Sequence, residues 1–287
     1  MKEIVIISGK GGTGKTTLTA SIVPFLSPLV IADCDVDAPD LHILLSPEDT
    51  RSEVFSGSQK AVIDQEKCTG CGACYTSCKF SAIQTGPSFA VNGMKCEGCG
   101  VCEFVCPSGA VSMIDAETGN LFHSMTEYGA MKHARLVPGE ETSGKLVAKV
   151  RSAAKEEARL SGSGYVLIDG SPGIGCNVIS SISGADIVVI VTEPTKSGLH
   201  DLNRVLLVAE RFTNKIIAVI NKYDLSPSIS DVIEKECAEK NVEVGLKVPF
   251  NPEIVEAVAG RNIPSLSMSA FFEEIGWGSF VKKLAES

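Results

Sequence analysis

The sequence predicts an α/β fold, a doubly wound, mostly parallel sheet into which a small cysteine-rich α+β module is inserted. Three observations lead there. The chain opens with a β-branched run, residues 4–7, that passes through a glycine loop into an apolar helical stretch. Three later runs, 165–169, Ile187–Thr192 and Ile216–Asn221, are apolar at nearly every position, as parallel strands covered by helices on both faces must be. Eight of the eleven cysteines lie between Cys68 and Cys106, which marks a separate module.

Taken in order, residues 4–7 read as a strand, 16–25 as a helix that Pro24 ends or kinks, and 29–32 as a second strand, together a βαβ unit. The texture changes over 61–114, where KCTGCGACYTSCKFSAI from Lys67 is repeated as KCEGCGVCEFVCPSGAV from Lys95, a duplicated half-module. Residues 61–114 are therefore assigned to the insertion, and 1–60 with 115–287 to one discontinuous larger domain. A hairpin is expected over 121–136, a helix over 145–160 and then the three apolar strands. A last helix over 271–284 carries Phe271, Phe272, Ile275 and Leu284 on one face; packing against the sheet is expected of it, because Lys/Arg enrichment for membrane docking is absent.

The bulk numbers exclude several function classes. With 26 Lys+Arg against 35 Asp+Glu the formal charge is −9, so neither a nucleic-acid nor an anionic-membrane surface is expected. The opening run is too short for a secretory h-region, and no run of about 18 apolar residues appears. A cytoplasmic protein is expected, and there dense cysteine points to metal or catalysis rather than disulfides.

Gly9-Lys10-Gly11-Gly12-Thr13-Gly14-Lys15-Thr16 fits G-x-x-x-x-G-K-[ST] between a strand and a helix, the context this phosphate loop requires. The loop's N–H groups and the helix N-terminus cradle phosphates. Lys15 is expected on the β- and γ-phosphates and Thr16 on Mg²⁺, with Thr17 beside it on the nucleotide. The larger domain is thus expected to be a P-loop NTPase.

Cys68-x2-Cys71-x2-Cys74-x3-Cys78 and Cys96-x2-Cys99-x2-Cys102-x3-Cys106-Pro107 both fit the bacterial ferredoxin run, in which the fourth cysteine serves the other cluster. The module is therefore expected to be ferredoxin-like with two [4Fe-4S] clusters, one on Cys68, Cys71, Cys74 and Cys106, the other on Cys96, Cys99, Cys102 and Cys78. Tetrahedral zinc is the alternative. Gly70, Gly72, Gly98 and Gly100 suit tight loops that aim N–H groups at sulfur. Lys79 stands where the second run has Pro107. Cys34 and Cys237 are expected to be small buried hydrophobes, and His42, His123, His133 and His200 carry no assigned chemistry.

KGGTGKTT resembles the deviant Walker A of the MinD/ParA family, which also includes the nitrogenase iron protein and the Mrp/ApbC cluster carriers. IADCDVDAP resembles that family's switch I, LIDGSPGIG its switch II and VPFNPEIVEAVAG its base-side loop. With the cysteine module, nearly the whole chain resembles MinD-superfamily ATPases that contain a ferredoxin domain. The resemblance implies that Lys10 reaches a partner's phosphates across a nucleotide-sandwich dimer, that Asp35 orients the attacking water, and that Asp169 holds Mg²⁺ through water. It further implies that Gly173 offers its N–H to the γ-phosphate and that Asn221 recognises the base. Asn221-Lys222-Tyr223-Asp224 also reads as N-K-x-D, a guanine signature, so ATP is favoured with GTP the alternative. Cys176 sits in switch II as a cluster-ligating cysteine of the nitrogenase iron protein does, without its second partner; buried filler or redox ligand both remain open.

The expected function is an ATP-binding, slowly hydrolysing iron–sulfur protein. Nucleotide-dependent closure of a homodimer, or of a heterodimer with a paralogue, would be coupled to electron transfer or to access by a redox or cluster-accepting partner. The alternatives are a cluster assembly or transfer scaffold and a MinD-like spatial regulator. The coupling is expected through 36–60 after Asp35 and through the return 121–144.

Overall fold

A computed structural model describes residues 1–140, 143–213 and 215–286; within the expected return 121–144, residues 141 and 142 lie outside this set. The chain divides into two compact units, Met1–Glu53 with Leu121–Arg135 and Ser143–Ser287, and Val54–Asn120 with Leu136–Thr142.

β1 (Lys2–Ser8) passes through the glycine loop into α1 (Lys15–Ile22). Pro24, lacking an amide for the helical ladder, sits in the 3₁₀ turn Val23–Phe25 that ends it. β2 (Leu29–Asp33), α2 (Leu41–Leu45), β3 (Glu48–Phe55), β4 (Ser58–Ile63), α3 (Ala73–Ser77), β5 (Ile83–Gln84), β6 (Ala90–Val91), α4 (Val101–Phe104) and β7 (Val111–Ala116) follow. Then come β8 (Gly119–Thr126), β9 (Gly129–Leu136), α5 (Ser143–Ser161), β10 (Tyr165–Pro172), α6 (Cys176–Ile182), β11 (Ile187–Thr192), α7 (Lys196–Ala209) and β12 (Ile216–Asn221). The chain closes with α8 (Pro227–Glu239), β13 (Glu243–Val248), α9 (Pro252–Ala259), α10 (Pro264–Ser267), α11 (Ser269–Glu274) and α12 (Trp277–Glu286).

The first unit is built on a nine-stranded sheet in the order β13-β12-β11-β1-β10-β2-β9-β8-β3. The pairings from β13 to β9 are parallel. Ile4, Ile6, Ile31, Leu167 and Val189 line one face of it and are buried, as the apolar runs require. The hairpin expected over 121–136 is formed by the neighbouring strands β8 and β9, and β9 also joins the main sheet beside β2, with Ile31 opposite Met131 and Asp33 opposite His133. One sequence expectation is corrected. The single last helix breaks at Gly276, whose φ of 81° no helix can continue, giving α11 and α12. Trp277, Phe280, Val281 and Leu284 of α12 are buried in the core, so that apolar face is already covered. Among the described residues no helix is long and apolar enough to cross a membrane.

The second unit is wider than 61–114 because β4 pairs antiparallel with β7 along its whole length, Ser58 opposite Ala116 through Ile63 opposite Val111. β5 and β6 form a two-residue ladder. Its core is small, Ala61, Cys74, Ala82, Ile83, Cys96 and Val111, and two of these six are cysteines.

Candidate functional site

The phosphate loop lies where β1 ends, between β10 and β11, so the strand ends beside it bring their acids to Lys15. Lys15 is nearly buried, 6% exposed, with Nζ 2.9 Å from Asp169 Oδ2 and 3.5 Å from Asp35 Oδ2. Thr16 Oγ1 donates to Asp169 Oδ2 at 2.7 Å, and Thr19 Oγ1 donates to Oδ1 at 2.8 Å. The structure thus brings Lys15, Thr16, Asp35 and Asp169 together, and Thr19 joins them without any motif to announce it. Asp33 is fully buried behind them, its carboxylate accepting from the amides of Asp35 and Leu41.

Three acids around one lysine make a strongly coupled centre. Burial drives the Asp33 carboxyl well above its ordinary range, the Asp169 charge adds to this, and Lys15 opposes it. Burial also raises Asp35 against the pull of Lys15. Burial alone would lower the Lys15 ammonium, but Asp169 and Asp35 outweigh it and the net shift is upward. A buried cation among carboxylates is held by them until a more highly charged anion competes.

Gly12 and Gly14 have φ of 80° and 92°. At Gly14 the need is double, since a Cβ would also stand 2.4 Å from Asn221 Nδ2. That amide donates to the Thr13 carbonyl at 2.8 Å, so Asn221 ties the loop to β12 at the mouth of a pocket. The pocket, about 800 Å³ with its open mouth, is walled by Gly12, Gly14, Thr17, Leu18, Val191, Val219, Asn221, Lys222, Val248 and, from α9, Ile254, Val255 and Val258. Asp224 is not part of this wall; its Oδ1 accepts from the Phe250 amide at 2.6 Å.

Two expected phosphate groups are engaged otherwise here. The Gly173 amide donates to the Ser8 carbonyl at 2.8 Å and is not free for a γ-phosphate in this conformation. Lys10 lies with Nζ 3.7 Å from Glu193 Oε2, while Lys222 Nζ is 2.6 Å from Oε1 of the same residue. Glu193 lies in VTEPTKSGLHDL, a stretch that also resembles the MinD/ParA family, but no role was assigned to it from sequence. Gly9 and Gly11 belong to the loop as expected, and at Gly9 a Cβ would stand 2.6 Å from Asp201 Cβ.

In the second unit the repeat folds into two cysteine-lined cavities. One is lined by Cys68, Cys71, Cys74 and Cys106, with Ile63, Phe89, Ser108 and Val111. The other is lined by Cys78, Cys96, Cys99 and Cys102, with Ala61, Phe80, Ile83, Val101 and Met113. Each set takes three cysteines from one run and the last from the other; Cys78 joins its set although Lys79 replaces proline. Backbone amides point at the sulfurs: Ala110 at Cys106 (3.3 Å), Ala82 at Cys78 (3.4 Å) and Ala61 at Cys96 (3.5 Å). At Gly98 a side chain is barred, because φ is 66° and a Cβ would stand 2.1 Å from the Gln59 carbonyl oxygen. Burial raises the Cys74 and Cys102 thiols, whereas hydrogen bonding from Ser108 lowers Cys106. The thiols of each set surround a space: among the described residues no three His, Cys, Asp or Glu side chains converge closely enough to hold a single ion.

Cys34 and Cys237 are fully buried, and burial raises Cys237 to about 11. Cys176 is exposed at the first position of α6. His133 is sandwiched against Phe122 and His42 and bonded to Ser124 at 2.8 Å, a packed polar cluster.

The nucleotide-binding domain model of the CobQ/CobB/MinD/ParA group matches residues 4–264. The uncharacterized protein MJ0578 of Methanocaldococcus jannaschii is 34% identical over 77% of this chain and 78% of its own length. An iron-sulfur cluster carrier protein of the same organism is 22% identical over 99% of this chain and 84% of its own. Among solved structures, the septum site-determining protein MinD of Pyrococcus horikoshii, complexed with Mg-ADP, superposes with a TM-score of 0.57 at 17% identity, over 99% of this chain and 94% of that one. At that identity the likeness is one of fold, a mostly parallel P-loop sheet. Because the family model covers nearly the whole chain, from β1 into α10, this protein belongs to the CobQ/CobB/MinD/ParA nucleotide-binding domain family.

Proposed function

We propose that this protein is a slow, Mg²⁺-dependent ATPase that carries two [4Fe-4S] clusters and uses nucleotide-dependent dimer closure to control electron transfer through them, or a partner's access to them. The observation that carries the reading is the pair of cavities, each lined by four cysteines drawn three-and-one from the two runs, the donor set that two cubane clusters require. Amides aimed at Cys78, Cys96 and Cys106 supply the hydrogen bonds that thiolate sulfur accepts in such sites. The clusters supply one-electron chemistry; the chain supplies their ligands, these hydrogen bonds and a thin apolar cover. Anaerobic reconstitution tests this directly, with about eight iron and eight sulfide per chain expected. Zinc bound without sulfide would overturn it.

At the nucleotide site, Lys15 exchanges its acids for the β- and γ-phosphates, and Thr16 with Asp169 holds Mg²⁺, whose charge offsets that of the phosphates. Asp35 orients the attacking water, and Lys10 leaves Glu193 to reach the partner's phosphates. Adenine is the favoured base: the pocket wall is mainly apolar, and Asp224, which a guanine would need, lies outside that wall with Oδ1 on the Phe250 amide. GTP displacing ATP in competition would reverse that choice.

Cluster delivery is the second reading, supported by the relative named as an iron-sulfur cluster carrier. Eight internal cysteines favour clusters that stay. Loss of iron to an apo-acceptor upon ATP binding would favour delivery; retained iron with a changed potential would favour electron transfer.

A further inference from the structure

The internal repeat builds two similar cavities, but their surroundings differ in charge. Beside the first, Lys67 pairs with Asp64 in solvent, the two side chains 65% and 41% exposed. Beside the second, Lys60 is largely enclosed at 18% exposure. Its Nζ donates to the Cys96 carbonyl at 3.0 Å and meets Glu140 Oε1 at 3.0 Å, itself 16% exposed. β4 grips the loop 96–98 at three successive residues. The Gln59 carbonyl covers Gly98, Lys60 holds the Cys96 carbonyl, and the Ala61 amide donates to Cys96 Sγ.

A full positive charge is thus fixed on the backbone carbonyl of Cys96, itself one of the second set, and a carboxylate is fixed against that charge. Electrons added beside a cation are stabilised, and the effect is larger where the charge is shielded from water. Local net charge and hydrogen bonding to the ligands are established levers on cluster potential.

We infer that Lys60 and Glu140 act as a pair that sets the reduction potential of the cluster held by Cys78, Cys96, Cys99 and Cys102 apart from that of its twin. Lys60 raises the potential and Glu140 holds part of that rise back. The inference rests on the two-cluster reading above. Lys60 touches neither substrate nor electron donor; it is a positioning and charge-setting residue. Its consequence is directional, because an electron entering the module settles on the cluster of higher potential, and this pair biases it towards the second.

The test is an anaerobic dithionite titration of the reconstituted full chain with redox mediators, each cluster followed by electron paramagnetic resonance. Iron and sulfide are assayed first. Lys60→Met is expected to disfavour reduction of the second cluster about tenfold, a fall of about 59 mV for one electron. Glu140→Gln is expected to raise it, Lys60→Arg to leave it near the wild-type value, and the double variant to lie between the single ones, with the first cluster constant throughout. If Lys60→Met lowers cluster content, Glu140→Gln alone decides, by raising the second potential or not. Full cluster content with both potentials unmoved, or both moved equally, overturns the inference alone. Wild-type chain without iron and sulfide overturns the two-cluster reading and the inference with it.

Discussion

The phosphate-loop end of the sheet and the cysteine module place charged or metal-seeking groups in opposite kinds of surroundings. Around the loop, buried Lys15 and Asp169 are satisfied by each other and by Thr16 and Thr19, and buried Asp33 by the amides of Asp35 and Leu41, on strands held in register by a nine-stranded sheet. That site is preformed. The cysteine module has helices of four and five residues, one ladder of two-residue strands and a six-residue core that includes Cys74 and Cys96. Helices so short are not stable by themselves, and a core so small does not offset the entropy of ordering its chain. A module of this kind obtains folding free energy from what its cysteines hold.

The largest expected effect follows from that contrast. Stripping iron from the reconstituted protein with a chelator is expected to abolish the second unit's protection against hydrogen exchange, across β4 and β7, while β1, β10 and β11 keep theirs and nucleotide binding survives. Unchanged protection in β4 and β7 after complete iron loss would show that the module supports itself. Uniform loss across both units would show that the phosphate-loop sheet depends on it.

A second, smaller effect sharpens the comparison from the other side. Lys15→Ala is expected to abolish nucleotide binding and, at neutral pH, to destabilise the first unit by about 3–5 kcal/mol, because it strands buried carboxylates. Protonation is the remedy available to them, so the loss is expected to shrink in acid. The sign in the wild type is set by Asp33 and Asp35, whose folded pKa values lie above their unfolded ones. Their contribution is fully present below about pH 4, the unfolded value, and is lost as pH rises through the folded values. With Lys15 gone, its lowering influence on both acids goes too, and the decline steepens. Trp277, the single tryptophan and buried in the first unit's core, reports this unit in denaturant titrations between pH 4 and 8. A flat, parallel pair of profiles would rule out the assigned coupling.

What was legible in the sequence is what local spacing encodes. The eight residues of the phosphate loop and the two cysteine runs are contiguous patterns, and continuous apolar runs announced β10, β11 and β12. What was not legible depends on partners far away in the chain. β9 reads as half of a local hairpin, yet it pairs with β2 almost a hundred residues upstream. β4 and β7 enlarge the module by closing across both cysteine runs. Thr19, Glu193 and the Lys60–Glu140 pair had no role assigned from sequence, because a hydroxyl, a carboxylate or a lysine gains meaning only when the fold sets it beside another charge. Gly173 and Lys10 show a further limit. A sequence pattern names the group that would meet a phosphate, whereas in this conformation Gly173 and Lys10 have partners within the chain.

The smallest expected effect concerns that alternative partner of Lys10. Glu193 receives two lysines, Lys222 at 2.6 Å and Lys10 at 3.7 Å, so in this conformation it holds the loop lysine against its own chain. If Lys10 crosses to a partner's phosphates as proposed, this contact must open first, and its cost is subtracted from the free energy of closure. Lys10 is about one-third exposed, so the contact is worth only about 0.2–1 kcal/mol. Glu193→Gln removes the charge while keeping an acceptor for Lys222. It is expected to increase the dimer fraction formed with a non-hydrolysable ATP analogue by no more than about fivefold, as read by sedimentation at low ionic strength. Salt screens a partly exposed pair, so wild type and variant are expected to converge above about 0.5 M salt. An unchanged dimer fraction at low salt would mean that Glu193 exerts no hold on Lys10, and a decreased one would mean that Glu193 supports closure by fixing Lys222 instead. On the proposed reading the two sites differ in kind as well as in burial: the cysteine module would draw folding free energy from its clusters, whereas the phosphate loop would need only the release of one partly exposed lysine.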